Sequence, residues 1–343
     1  MPAVVVHGAG DLRIEDVPTL APGPGEVAVN VRFGGICGSD LHYLRHGAVG
    51  DFRVREPLIL GHEVSGDVSA VGPGVEGVDP GQRVTVHPAT PCGSCAECTS
   101  GRPNVCRRAR YLGSAAHFPH VQGGFRDVLV VRANQLVPLP AALPLASAAL
   151  AEPLAVALHA VRRAGDVRGR RVLVTGAGPI GCLVIVALRA AGAGEIIARD
   201  IVPEALQVAA SAGADLLELV GDGGGDDGEI DVAVESSGAA AGLAECLHRT
   251  ARGGRVVALG LLPPGDAPVP INLAVTRELE LVGSFRFDRE IDDAVELLAG
   301  GLPVGDIVTT TFPLDRAGEA FALAGDRTRA SKVLLELSGG FAP

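Results

Sequence analysis

Apolar and polar positions follow two different rhythms along this chain. Near the start, AVVVHGAGDLRIEDVP predicts two short β-branched strands about a glycine turn. Glu26 to Arg32 alternates apolar and polar residues over another strand, and Val64 to His87 holds further short strands between Gly/Pro turns. Strands punctuated in this way predict a small barrel-like all-β unit. His7-Gly8-Ala9-Gly10 has the look of a phosphate loop, but Arg13 stands where a third glycine is needed and no helical pattern follows, so a hairpin turn is expected. After Pro144 an apolar helical run begins at Ser147. From Arg171 the rhythm changes to strand, glycine turn, helix to about Ala191, and strand ending at Asp200. The β/α alternation continues through PEALQVAASAGADLLELV, DVAVESSG and RGGRVVALGLL. A strand then passes Arg286 into an amphipathic helix, and the tail to Pro343 is expected to pack back on the first unit.

Length and composition sharpen this into two domains. At 343 residues the chain exceeds the roughly 250–300 residues that one hydrophobic core serves. The expected division is residues 1–153, carrying a lobe at 88–110, then 154–286, with 287–343 returning to the first domain. A net charge of -11 argues against nucleic acid as a partner, which needs a basic patch. No basic segment followed by an apolar run opens the sequence, and the later apolar stretches are too short or too interrupted to span a bilayer, so a cytoplasmic protein without membrane association is expected. Lys332 is the only lysine, which together with abundant Arg, Ala and Gly reads as genome composition.

The chemistry concentrates in GGICGSDLHYLRHGAVGDFRVREPLILGHE, Gly34 to Glu63, which offers Cys37, Ser39, His42, His62 and Glu63. A catalytic Zn²⁺ takes three ligands from Cys, His and Asp/Glu and keeps a fourth position open; the alternative is that Cys37 is a small buried apolar residue and that His62-Glu63 ends a strand. In PCGSCAECTSGRPNVC, the thiols of Cys92, Cys95, Cys98 and Cys106 can close a tetrahedral ion completely, the pattern of a structural zinc. An iron–sulfur cluster and disulfides are the rivals. The loop from Tyr111 to Val131, with His117, Phe118, His120 and Arg126, reads as a pocket lip or a surface loop. Glu152 lies in an apolar run, where a carboxylate needs a partner or a metal, unless it is simply a first-turn acid.

In the second domain the turn after Arg171–Thr175 reads G-x-G-x-x-G at Gly176, Gly178 and Gly181, with Asp200 ending the next strand. This is the dinucleotide fingerprint in its required setting: pyrophosphate at the helix N-terminus, ribose on the acid. Asp200 and Glu204 would repel a 2′-phosphate and only Arg199 would welcome one, so NAD is expected over NADP. The segment GDGGGDDGE reads as a solvated loop, not a calcium site, and Cys182 and Cys246 as inert buried thiols.

GGICGSDLHY, LGHEVSG, the four-cysteine lobe, AEPLAVALHA and VTGAGPIG together resemble the zinc-dependent medium-chain dehydrogenases over essentially the whole chain. The sorbitol dehydrogenase branch is nearest, and within it LGSAAHFPHVQGGF and VGSFRF are similar to the group that oxidises L-idonate at C5. The resemblance implies a GroES-like β-rich catalytic domain interrupted by a Rossmann doubly wound parallel-sheet domain, with metal and nicotinamide in the cleft. It implies catalytic zinc on Cys37 and His62 with Glu63 or Glu152 as third ligand, and a proton relay from Ser39 to His42 through the cofactor ribose. Tyr43, Phe118, Arg286 and Phe287 would face the substrate, Arg286 with the option of pairing a carboxylate and Phe287 replacing a tyrosine of sorbitol-type relatives. Pro179, Ile180, Ser237 and Gly260 would join the fingerprint glycines around the cofactor. Where relatives commonly carry a basic residue after the ribose-binding acid, this chain has Glu204 and Ala205. A homotetramer is implied. Sorbitol/xylitol and then L-threonine are the alternative substrates, and a zinc- and nucleotide-binding scaffold without turnover is the alternative of another class.

Overall fold

The computed structural model describes residues 1–222 and 228–337; most of the Gly/acidic segment at 221–229 lies outside them. The first domain is built on the strand Glu26–Gly35, long enough at ten residues to pair with three others. Val128–Arg132 lies antiparallel to its first half, Lys332–Glu336 to its end, and Glu63–Val71 runs along the opposite edge. The sheet continues through Arg83–Val86 to Leu136–Pro138 on one side and Val308–Pro313 on the other. Its apolar face closes over Val27, Val29, Val31, Val68, Val84 and Phe125. A smaller sheet of Pro2–Gly8, Asp11–Asp16 and Leu58–Ile59 flanks it.

The second domain is a six-stranded sheet, all parallel, in the order Leu216–Leu219, Glu195–Asp200, Arg171–Thr175, Ile230–Glu235, Thr250–Ala258, Glu280–Gly283. In chain order that is 3-2-1-4-5-6, the doubly wound arrangement whose ligand crevice opens where the order reverses, between Arg171–Thr175 and Ile230–Glu235. Parallel strands are covered on both faces and so carry near-continuous apolar runs; Val172, Leu173 and Val174 are all fully buried, as are Ile196, Ile197 and Ala198. The helix Ala151–Ala164 packs on Pro179–Ala190 and on Glu290–Ala299.

Side-chain packing shows how the chain passes between the two. Phe287, Ile291, Val295, Leu298 and Ile307 belong to the nucleotide-domain core, whereas Leu314, Phe321, Val333, Leu335 and Leu337 join the catalytic-domain core. Among the described residues no helix is long and apolar enough to cross a membrane.

Candidate active site

The register of the first sheet assembles the metal-type cluster. Gly35 pairs with Glu63 on one side and with Leu334 on the other, so the end of the Glu63 strand, the segment after Gly35 and the last strand converge. Cys37 caps the helix Gly38–His46. His62 and Glu63 follow Gly61, whose φ of +94° suits only glycine there. The ligand atoms of Cys37, His62 and Glu63 all lie within 4.8 Å of one another.

Two buried groups, Asp40 and Lys332, hold this cluster. Asp40 is fully buried and accepts hydrogen bonds from the backbone N–H groups of Cys37 (3.0 Å) and Gly61 (3.2 Å). His62 Nδ1, buried and without a hydrogen-bond partner, stands 4.0 Å from Asp40 Oδ1. Burial pushes the Asp40 carboxyl up; for His62, burial opposes the charge, yet the neighbouring Cys37, Asp40 and Glu152 hold its pKa well above the usual imidazole value. Lys332, 2 % exposed, donates to both oxygens of Glu63 (2.8 and 2.7 Å) and to the Ile36 carbonyl (3.1 Å). Its position demands Gly35, since a Cβ there would sit 2.0 Å from Glu63 Oε2.

Glu152, on the helix Ala151–Ala164, stands behind the cluster. It is buried and accepts a 2.6 Å hydrogen bond from Tyr111; burial raises its pKa to about 7. The Tyr111 ring in turn meets His62 edge-on at 5.6 Å and carries the Arg286 guanidinium 4.2 Å from its centre. Arg286 makes no hydrogen bond or ion pair among the described residues, and its backbone sits at φ +54°, a left-handed conformation that a long side chain rarely adopts.

The other expected site residues are dispersed. Ser39 and His42 lie three positions apart on one helix and so share a face; burial and the nearby His46 and Arg45 lower the His42 pKa. Tyr43 is buried, its hydroxyl accepting from the Ala115 N–H at 2.9 Å. Phe118 is 62 % exposed and stacks with Arg55 and His120. Phe287 is 2 % exposed within the nucleotide-domain core, against His87 at 4.8 Å, which leaves its ring no open surface.

At the crevice, Gly176 turns at φ +89° and Gly178 caps the helix Pro179–Ala190, with Pro179 and Ile180 in its first turn. A Cβ on Gly181 would lie 1.9 Å from the Gly176 carbonyl, and one on Gly260 2.3 Å from the Gly238 nitrogen, so both mark close backbone approach. Ser237 is tied to Glu235 by its N–H at 2.7 Å. Asp200 is buried; it accepts from the N–H of Ala177 (2.6 Å) and Val202 (2.9 Å), and from Arg327 Nη2 (2.5 Å). Arg199 instead faces Glu218 at 3.0 Å and Glu245 at 3.4 Å. The cation beside Asp200 is Arg327, not the adjacent Arg199.

Both cysteine-containing clusters fit zinc. In the lobe, Cys95–Cys98, Cys95–Cys106 and Cys92–Cys106 Sγ separations are 3.5, 3.7 and 3.5 Å. The edge of a ZnS₄ tetrahedron with Zn–S of 2.3 Å is about 3.8 Å. Backbone N–H groups of Cys92 and Arg108 point at Cys106 Sγ, the surroundings of a liganded thiolate. In the catalytic cluster a thiol, an imidazole and a carboxylate lie within 4.8 Å of one another, the donor set of a catalytic zinc, and the buried His62 Nδ1 has no hydrogen-bond partner among the described residues.

Comparison with known proteins bears on the same residues. Residues 23–141 match the alcohol dehydrogenase GroES-like domain and residues 179–300 the zinc-binding dehydrogenase domain. The chain belongs to the zinc-dependent medium-chain dehydrogenases, in the sorbitol dehydrogenase branch. It is 40% identical over 314 residues to L-idonate 5-dehydrogenase (NAD(P)(+)) of Escherichia coli, covering 90% of each chain. It is 36% identical over 345 residues to the sorbitol dehydrogenase of Gallus gallus, covering 97% of this chain and 96% of that one. The crystal structure of L-idonate 5-dehydrogenase from E. coli superposes with a TM-score of 0.93 at 37% identity over 98% of both chains. This medium-chain dehydrogenase is therefore an enzyme, an oxidoreductase with zinc and NAD(P) as its cofactors.

Sequence reading missed Asp40, Tyr111, Lys332 and Arg327. Only Lys332 left a signal, as the one lysine of a chain that otherwise uses arginine.

Proposed function

We propose that this dehydrogenase oxidises L-idonate at C5 to 5-keto-D-gluconate, and runs the reverse, with NAD(P). The observation that carries the substrate is Arg286, a half-buried guanidinium without a hydrogen bond or ion pair among the described residues, stacked on the tyrosine that bridges to Glu152. The resemblance places this arginine near the polyol in the family, and the same guanidinium can also pair with an aldonate carboxylate bidentately. The similarity to the E. coli L-idonate enzyme supports the same reading.

Cys37 and His62 would hold the catalytic zinc, with Glu63 or Glu152 as third ligand, and Cys92, Cys95, Cys98 and Cys106 the structural one. The catalytic zinc supplies Lewis acidity that lowers the pKa of a substrate hydroxyl. NAD(P) held in the crevice would supply the hydride acceptor for C5. Arg286 anchors the carboxylate and so sets which carbon is presented. The hydroxyl proton leaves by Ser39 and His42, whose lowered pKa keeps the imidazole neutral and able to accept it. Gly176, Gly178 and Gly181 seat the pyrophosphate, and Ser237 and Gly260 wall the crevice.

A homotetramer belongs to the same proposal. The strand Glu280–Gly283 is the sheet edge, and Leu281, Ile271, Val275 and Leu261 are 40, 49, 78 and 70 % exposed, an apolar border that a second copy would cover.

The test is NADH and NADPH production by zinc-loaded protein on L-idonate, D-gluconate, sorbitol, xylitol and L-threonine, with Cys37→Ala as the blank. L-Idonate should dominate, and Arg286→Gln should lower its kcat/KM by roughly 10- to 100-fold, the worth of a charge-assisted hydrogen bond, while leaving residual polyol rates unchanged. Turnover of sorbitol or xylitol instead, the second reading supported by the sorbitol dehydrogenase relatives, would replace the aldonate by a polyol.

A further inference from the structure

The carboxylate that ends Glu195–Asp200 is the ribose-binding acid of the fold, yet here it is nearly saturated. A carboxylate offers about four lone-pair positions, and three are filled: Ala177 N–H and Arg327 on Oδ2, Val202 N–H on Oδ1. The two backbone donors belong to the crevice itself and stay. Arg327 comes from another part of the chain, the segment between the helix Ala317–Ala324 and the strand Lys332–Glu336, and its side chain is 42 % exposed while that of Asp200 is 2 % exposed. An adenosine ribose with free 2′- and 3′-hydroxyls brings two donors to an acid that has about one position left, so Arg327 must yield for NAD to be held by both.

The opposite holds for NADP. A 2′-phosphate carries about -1.5 to -2 charge at neutral pH and would meet Asp200 as like against like. Arg327 already stands on that carboxylate with donors to spare, and a guanidinium binds phosphate through paired N–H groups. The nearer candidate in sequence, Arg199, is committed to Glu218 and Glu245.

We propose that Arg327 reads the 2′-position of the adenosine ribose, moving from Asp200 to the 2′-phosphate of NADP and competing with the ribose hydroxyls of NAD. This deepens the proposed NAD(P) usage and rests on that reading of the crevice, but on no choice of sugar substrate. One residue thereby gives access to both cofactors: it screens the acid that would reject NADP and weakens the grip that would favour NAD.

The experiment is equilibrium binding of NADH and NADPH to the full-length enzyme by nicotinamide fluorescence, without sugar, with 5′-AMP and adenosine 2′,5′-bisphosphate as competing probes. Arg327→Gln should raise the Kd of NADPH and of the bisphosphate by roughly 10- to 100-fold, while NADH and AMP bind equally or more tightly. Arg327→Lys should restore a large part of the NADPH affinity. Asp200→Asn, which frees the guanidinium and removes the repelling charge, should shift the balance further to NADPH and serves if Arg327→Gln fails to fold. An unchanged NADPH/NADH affinity ratio in Arg327→Gln, or equal losses for both, would make Arg327 a clamp between segments and overturn the proposal. Because no sugar is present, an error in the substrate assignment leaves this result untouched.

Discussion

The ammonium of Lys332 and the carboxylate of Glu63 illustrate what a buried ion pair does beside a metal cluster. Both are removed from water, a cost met here by three hydrogen bonds from one nitrogen. Burial alone would lower the Lys332 pKa, but the Glu63 charge raises it, so the residue stays a cation. Removing one partner of such a pair costs about 3–5 kcal/mol because the other charge is stranded. Lys332→Met should therefore melt far below the parent protein when zinc-free and recover part of the loss on zinc loading, because a divalent ion next to Glu63 supplies the missing charge. Equal drops in Tm with and without zinc would show that Glu63 and the metal do not communicate. Neither pairing was legible beforehand: Lys332 lies 269 positions from Glu63 and Arg327 127 from Asp200, and local sequence carries no record of such partners. Cys37, His62 and Glu63, by contrast, stand out because their types have few other uses in so short a stretch.

Between elements, the helix Ala151–Ala164 is tied to Glu290–Ala299 by one acid. Glu290 accepts from His159 Nδ1 at 2.9 Å and from the Asp288 N–H at 2.8 Å, with Arg162 at 3.1 Å. Burial works against its charge, but the hydrogen bonds from His159, from the Asp288 N–H and from its own N–H win and set its pKa at about 2, below the usual 4.5. A carboxyl depressed on folding adds stability that is complete above the unfolded pKa and fades as pH falls from there through the folded value. Thermal unfolding of Glu290→Gln should thus lie below that of the parent at pH 7, and the gap should close between about pH 4.5 and pH 2; a constant gap would mean that packing, not charge, joins the helices. The periodicity of both helices was legible in the sequence, and so was the strand-turn-helix at Gly176, because each is a local pattern. Their pairing across 131 positions was not. The place where the chain crosses back was read at 287, but Phe287 to Ile307 pack with the nucleotide domain: an amphipathic helix shows in sequence that it has an apolar face, not which core receives it.

At the scale of the whole molecule, the fold class was readable because a β-rich half and a β/α half have different periods, while the assembly was not, since an edge strand looks like any other until its neighbours are known. Replacing Leu281 with Lys at the Glu280–Gly283 edge should reduce the mass measured by light scattering to a smaller species with unchanged circular dichroism; an unchanged mass would place the interface elsewhere. A different whole-molecule property follows from the single lysine. With Lys332 the only side-chain primary amine and 2 % exposed, an amine-reactive ester finds no open lysine on the folded chain. Acylation of Lys332, located by peptide mass spectrometry, would time the moments when the last strand lifts from the centre it closes.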